Sequence, residues 1–336
     1  MKIGQVDLDA EVLVVAEVGN NHEGSLARAE ELIGKAAEAG ARAVKFQTFR
    51  TELFVSRTQR ERFDRLKGFE LRPADFDRLA ATARAAGLLF LSTPLDLDSV
   101  QCLAPLVAAF KIASSDLAFY PLLEAVASHG KPVILSTGLA DLAQIRRSKA
   151  MLDRCWRQAG LDAECAVLHC VCAYPTPVDQ ANLAAIQTLG RELACTVGYS
   201  DHTLGIDAAV LAVACGARII EKHFTLDKHQ SDFRDHQLSA DPADMRRLVE
   251  RVREASWMLG RGDKGVAPCE EPLRMEVRRS LVARCDLPAG ALLSRETIAW
   301  VRPGGGLAPG EEQALLGRRL IRPLAAGERI TRDAVE

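Results

Sequence analysis

The chain has 336 residues, 48% of them hydrophobic and 26% charged, with a formal net charge of -2. This mixture excludes a disordered chain, a collagen-like or coiled-coil rod and a small disulfide scaffold, and the near-neutral balance argues against nucleic-acid binding. At ~150 residues per domain the length allows two domains, or one barrel of about 250 residues followed by a smaller module. From the start to about residue 260, short apolar runs alternate with amphipathic segments. The runs are Val12–Ala16, Ala43–Phe46, Leu88–Leu91, Phe110–Ala113, Val133–Leu135, Ala166–Leu168, Thr196–Gly198 and Arg218–Ile220. Unbroken apolar runs of this length suit strands buried on both faces, as in a parallel sheet.

Helix signals lie between the runs. Leu26, Ala29, Ile33, Ala36 and Ala37 recur at three- and four-residue steps, with Ser25 as a natural N-cap and Gly40 as a natural stop. Pro73 suits the first position of a helix over 74–86 that Gly87 ends, and Asp241-Pro242 opens a last helix over Pro242–Leu259. Eight strand-then-helix units point to a closed (β/α)8 TIM barrel rather than a doubly wound sheet. We read residues 1–262 as the barrel and 263–277 as a linker. Residues 278–336 read as a compact module of turns and short strands, in which Leu287-Pro-Ala-Gly290 and Leu324-Ala-Ala-Gly-Glu328 are similar turn signals.

No run is long and apolar enough for a signal-peptide core, and none reaches the ~20 residues of a membrane span. A cytoplasmic protein without membrane contact is expected. The nine cysteines form no CxxC pair, which fits reduced thiols, and Cys170 and Cys172 are expected to point to opposite faces of a strand.

Barrel chemistry gathers at the C-terminal ends of the strands. There the sequence carries Glu17 and Asn20 after the first run, then Lys45 and Gln47, Lys111 with Ser114 and Asp116, Ser136, His169 with Cys172 and Tyr174, Ser200 and His202, and Glu221 to His223. A lysine in an apolar run needs an anionic partner, either a carboxylate within the barrel or a phosphate. Ser114, Ser136 and Ser200 suit helix caps or anion contacts. His169, on an apolar strand, reads as a hydrogen-bonded core histidine. His202 and His223 end adjacent strands, so both imidazoles can reach one ion and leave its other positions open, as in a catalytic site. No GxSxG, GxxxxGK[ST] or HExxH motif is present, and a Schiff-base lysine fits the paired lysines and hydroxyls less well than an anion cradle.

At these residues the sequence resembles the sialic acid synthase family, which includes legionaminic and pseudaminic acid synthases. The matching stretches are AEVGNNHEGS (16–25), VKFQTF (44–49), FKIASSD (110–116), GKPVILSTG (130–138), HCVCAYPTP (169–177), GYSDHTLG (198–205) and GARIIEKHFTLD (216–227), and the tail around 301–307 looks like an antifreeze-like (SAF, β-clip) domain. The resemblance implies condensation of phosphoenolpyruvate with an N-acyl hexosamine, such as N-acetylmannosamine or a 2,4-diacetamido-trideoxyhexose, giving a nine-carbon 2-keto acid and phosphate. It also implies that Lys45, Lys111, Ser114, Ser136 and Ser200 hold phosphoenolpyruvate and that His202 and His223 bind a divalent ion, usually manganese, with magnesium or cobalt as alternatives. Glu17, Gln47, Tyr174 and Asp235 would contact the sugar. Arg302 would reach its N-acyl group across a domain-swapped homodimer. Three positions depart from the family pattern: Asp116, expected to transfer protons, stands where glutamate is usual, Ser115 replaces a common glycine, and Cys172 replaces an asparagine or serine. A 3-deoxy-octulosonate-type synthase acting on a sugar phosphate, or a non-catalytic sugar-binding barrel, are the alternatives.

Overall fold

The computed structural model describes all 336 residues, which fall into two compact units, Met1–Gly260 and Arg261–Glu336. The first begins with a hairpin of β1 (Lys2–Ile3) and β2 (Val6–Asp7). Eight parallel strands then close on themselves: β3 (Leu13–Gly19), β4 (Ala43–Thr48), β5 (Leu89–Pro94), β6 (Phe110–Ile112), β7 (Val133–Ser136), β8 (Cys165–Cys170), β9 (Val197–Asp201) and β10 (Ile219–His223). Each overlaps one of the eight apolar runs, and β10 pairs with β3 to complete the TIM barrel.

Side chains on a strand alternate between two faces, and the alternation sorts the barrel into layers. The inward positions near the strand starts are apolar: Leu13, Val15, Ala43, Leu91, Ala109, Ile134, Ala166, Leu168 and Ile219 form one cluster with Ile3, Val6 and Leu8. The hairpin thus stoppers the N-terminal end. Two residues further along each strand the same face carries Glu17, Lys45, Thr93, Lys111, Ser136, Cys170, Ser200 and Glu221, all at most 6% exposed. Gly198 sits where the ring is tightest, since a Cβ there would lie 2.5 Å from both Ile219 O and Leu168 Cδ2. Outward-facing residues pack against the surrounding helices in the larger core.

The helix ends follow the sequence signals. Ser25 accepts from Arg28 N, Pro73 opens its helix, and Asp241 accepts from Ala243 N and Asp244 N at the start of Pro242–Leu259. No helix is long and apolar enough to cross a membrane.

In the second unit the stretch read as a linker contains a 3-10 segment, Pro268–Leu273, and a short helix, Arg274–Val277. Beyond it β11 (Ser280–Ala283) pairs antiparallel with β12 (Ile298–Val301). The two similar turn signals face each other: Leu287 and Leu324 exchange both backbone hydrogen bonds, at 2.8 and 2.9 Å. Both leucines join Leu281, Leu293, Ile298, Leu315, Leu320 and Ile330 in a core of this unit's own.

One outward-facing pair tests the packing. Lys222 and Asp201, neighbours on β10 and β9, are each at most 1% exposed and lie 2.9 Å apart. Removing Asp201 leaves the Lys222 ammonium buried with only the Thr203 carbonyl and no counter-charge. Asp201→Ala is therefore expected to cost about 3–5 kcal/mol of stability, read as a lowered denaturation midpoint. Replacing both residues by apolar ones should recover much of that loss.

Candidate functional site

A cavity of about 730 Å³ opens at the C-terminal end of the barrel. Of the residues singled out from the sequence, Glu17, Lys45, Gln47, Lys111, Ser114, Ser136, Tyr174, Ser200, His202, His223 and Asp235 line it together.

Its floor is a buried charge network. Lys45 Nζ lies 2.8 Å from Glu17 Oε2 and 3.6 Å from Glu221 Oε2, and Lys111 Nζ lies 3.9 Å from Glu221 Oε1. Lys111 also donates to Ser136 Oγ at 2.6 Å and to the Ile112 carbonyl at 3.0 Å. Ser200 donates to Glu221 Oε1 at 2.9 Å. Burial would raise the Glu221 carboxyl, but Lys111 and Lys45 outweigh it and hold Glu221 below the usual range. Glu17 goes the other way: burial and the Glu221 charge push it up to about 7 against the pull of Lys45. Burial pulls the Lys111 ammonium down, with Lys45 adding to the effect. The carboxylate partners weighed for both lysines are therefore present, and both lysines still face the cavity. Ser136 and Ser200 bind side chains of this network, and Ser114 Oγ accepts from Gly138 N at 2.9 Å, so none of the three caps a following helix.

The two histidines stand above the floor, ring centres 5.4 Å apart. His202 Nδ1 sits 2.9 Å from the Val171 carbonyl and must donate to it, which leaves Nε2 unprotonated in the neutral ring. Burial keeps both imidazoles neutral by lowering their basicity, that of His223 well below the usual range. His223 Nδ1 is buried without a hydrogen-bond partner. Two neutral imidazoles, one with an unused nitrogen, fit a divalent ion. No third His, Cys, Asp or Glu completes a ligand set, so such an ion would take its remaining ligands from water or substrate.

The wall beyond the strand ends comes from loops. The Tyr174 ring lies 4.1 Å from that of His202, with the Arg234 guanidinium 4.7 Å from the centre of the Tyr174 ring. Asp235 is 7% exposed, its Oδ1 lacks a hydrogen bond, and burial raises its carboxyl. Gln47 donates to Glu17 at 3.3 Å and accepts from Asn20 at 3.0 Å. His169 is a core histidine, bonded to the Ala181 carbonyl at 2.8 Å and stacked on Tyr199.

Asp116, Arg302 and the Cys170–Cys172 pair remain to be placed, and only the last needs correction. Ser114 and Ser115 line the cavity, and Asp116 lies close enough for the Lys111 charge to act on its carboxyl. Ser114–Asp116 is a 3-10 turn, with Asp116 N bonded back to Ala113 O, and the carboxylate accepts from Ser115 Oγ at 3.3 Å. Burial raises its carboxyl. Arg302 belongs to the second unit and is exposed there. Cys170 and Cys172 do not point apart: residues two apart on an extended chain share a face, and both thiols line the cavity.

The sequence reading missed the outer wall supplied by the Arg60–Phe69 helix, which brings Glu61, Arg62, Arg65 and Leu66 to the cavity. Phe63, Leu66 and Phe69 at three-residue steps were the available signal. Glu221 was noted without a role, although alternation from His223 places it inward.

Residues 32–264 match the model of the NeuB family, and residues 278–336 match that of the SAF domain. An N,N'-diacetyllegionaminic acid synthase of Legionella pneumophila is 39% identical over 96% of this chain and 94% of its own. A mouse N-acetylneuraminate-9-phosphate synthase is 30% identical over 96% of this chain and 92% of its own. The solved N-acetylneuraminic acid synthetase of Leptospira borgpetersenii, in complex with citrate, superposes with a TM-score of 0.76 at 34% identity, covering 81% of this chain and 94% of that one. With a barrel, a tail and a family match over most of its length, the chain belongs to the NeuB family and is a synthase of the sialic acid type.

Proposed function

We propose that the chain condenses phosphoenolpyruvate with an N-acyl hexosamine, giving a nine-carbon 2-keto acid and phosphate. The observation that carries this reading is the pair of buried lysines, Lys45 and Lys111, facing a cavity beneath two neutral imidazoles. An arriving phosphate would exchange for part of the Glu17 and Glu221 contact to these lysines, with Ser114, Ser136 and Ser200 near it. C3 of the enolpyruvate then forms the new bond to the acceptor aldehyde, water adds at C2, and phosphate leaves with carbon–oxygen cleavage. A divalent ion on His202 and His223 would supply Lewis acidity toward the aldehyde. Gln47, Tyr174 and Asp235 would orient the sugar.

The aldehyde oxygen becomes a hydroxyl and needs a proton. Asp116 was the candidate from sequence, but Glu17 lines the cavity, and a carboxyl raised to about 7 suits a general acid near neutral pH. An acid works in its protonated form, so kcat/KM should fall as pH rises through about 7. Glu17→Gln should lower kcat/KM by about 100- to 1,000-fold and flatten that limb of the profile. A limb that survives in this variant assigns the proton elsewhere.

Among acceptors, the Legionella relative favours a 2,4-diacetamido-trideoxyhexose. A second reading, a phosphorylated acceptor, has one observation of its own: Arg62 and Arg65 line the outer wall and form no ion pair with any carboxylate. Phosphate release from phosphoenolpyruvate, measured with N-acetylmannosamine, its 6-phosphate and the diacetamido sugar, separates these. The diacetamido sugar should give the highest kcat/KM. A preference for the 6-phosphate that disappears in Arg62→Ala/Arg65→Ala would establish the second reading, and no release with any acceptor would remove the synthase assignment.

Chelation should abolish turnover and added manganese restore it, with His202→Ala failing to recover. A chelated enzyme of full activity would refute the role given to the histidines.

A further inference from the structure

One carboxylate outside the cavity gathers partners from two directions. Glu23, in the loop after β3, takes a left-handed backbone (φ 49°), which is uncommon for a residue with a side chain. Its Oε2 accepts from Arg28, in the helix Leu26–Glu38, at 2.7 Å and from Gln230 at 3.1 Å, and its Oε1 accepts from Ser231. The same Oε1 lies 3.8 Å from Nε2 of His236, which is 0% exposed. Gln230, Ser231 and His236 belong to one segment, the loop after β10 and the short helix Asp235–Leu238. That segment brings Phe233, Arg234 and Asp235 to the cavity, and Phe233 meets Phe69 of the Arg60–Phe69 helix edge-on at 5.2 Å.

A proton on His236 decides whether its contact with Glu23 is a bond. His236 Nδ1 lies 2.7 Å from Thr225 Oγ1. That hydroxyl has one proton, and the Asp227 carbonyl, 3.1 Å away, can only accept it. Nδ1 therefore carries the hydrogen of the neutral ring and donates to Thr225. Nε2 is left with a bare lone pair facing a carboxylate oxygen. Two acceptors that meet stay apart, which accounts for a separation beyond hydrogen-bond range and for the lack of any partner on Nε2. A second proton, placed on Nε2, turns the same contact into a charge-assisted hydrogen bond. The charged groups that act on the ring are Glu23, Arg28 and Asp227. Burial holds the imidazole below its ordinary value against the pull of Glu23. Burial would raise the Glu23 carboxyl, but Ser231, Gln230, His236 and Arg28 outweigh it, so Glu23 is ionised when His236 takes its proton.

We propose that Glu23 and His236 are positioning residues, a proton-operated latch on the segment that presents Arg234 and Asp235 to the acceptor sugar. With the ring neutral the segment hangs from Glu23 by Gln230 and Ser231 alone. With the ring protonated an ion pair next to Asp235 draws it closed. The effect on the acceptor rests on the synthase reading above, while the state of the ring does not. Glu23→Gln separates the latch from the other titrating groups. Its amide oxygen can accept from Arg28 and Gln230, and its two N–H groups can donate to Ser231 and to the bare Nε2, so the neutral ring is bonded without a second proton.

The full-length protein, labelled with 15N at its seven histidines, reports the ring directly, with the His236 signals identified by their loss in His236→Gln. The expected neutral ring is protonated on Nδ1 and gains its second proton on Nε2 as pH falls below the ordinary histidine range of about 6.5. A neutral ring protonated on Nε2 overturns the proposal. In turnover assays the acceptor KM should fall by about 10-fold, the scale of one charge-assisted hydrogen bond, at the pH where the spectrum shows His236 titrating. Glu23→Gln should abolish that step, while the phosphoenolpyruvate KM and the limb assigned to Glu17 keep the same pH dependence in both proteins. A step that persists in Glu23→Gln, or one that is absent from the parent, refutes the latch. Failure of the synthase reading would instead show as absent turnover at every pH, and the 15N spectrum would still decide the state of the ring.

Discussion

Everything at the mouth of the barrel depends on keeping four ionisable side chains out of water. Glu17, Lys45, Lys111 and Glu221 are each at most 6% exposed. Moving an isolated charge into such a place costs several kcal/mol, and the cost is tolerable only where partners are well aimed. Here the partners are one another. Four strands hold them around one cavity, so each lysine has a carboxylate within 4 Å and neither carboxylate leaves the cavity wall. The arrangement is strained in one respect, because two carboxylates share the attention of Lys45. Burial, with the Glu221 charge adding to it, raises Glu17, while Lys111 and Lys45 hold Glu221 below the usual range.

The strand period then decides what this layer can do. Lys222, one residue from Glu221, faces outward to Asp201 and Thr203 and serves only packing. Glu221 and His223, two apart, share the cavity. The loops that supply the remaining wall are tied back to the barrel by buried polar side chains. Asn21 donates to the Phe224 carbonyl and to Ser239, bridging the loops after β3 and β10. Glu23 accepts from Arg28, Gln230 and Ser231, which fixes the segment leading to Arg234 and Asp235. A rigid floor and tethered loops are what positioning of two reactants requires.

How much of this was legible from sequence follows from how local each signal is. The eight strands were readable because burial on both faces makes each run apolar regardless of its neighbours. His202 and His223 were readable because each ends a run. Asp116 could be located from sequence only as following β6, because no periodicity reports the tight turn that carries it. The role of Glu221 needed the register of β9 against β10, which pairs it with Ser200. The Arg60–Phe69 helix escaped because most of its residues are charged and only Leu66 is buried. In the tail, the two similar turn signals were weak separately and gain meaning only from the pairing of Leu287 with Leu324.

The hairpin at the start of the chain has a consequence for traffic. With Ile3, Val6 and Leu8 packed against the lowest layer, the barrel has a single door. Lys45 and Lys111 stand on the strands, whereas Tyr174, in a loop, and Asp235, at the start of the short helix Asp235–Leu238, stand beyond the strand ends, nearer that door. Under the proposed reaction, a ligand seated on the lysines would enter before one seated nearer the door, and whatever remained on the lysines would wait for the outer product to depart. Binding order and release order would thus follow from a plug at the far end of the barrel, away from the cavity.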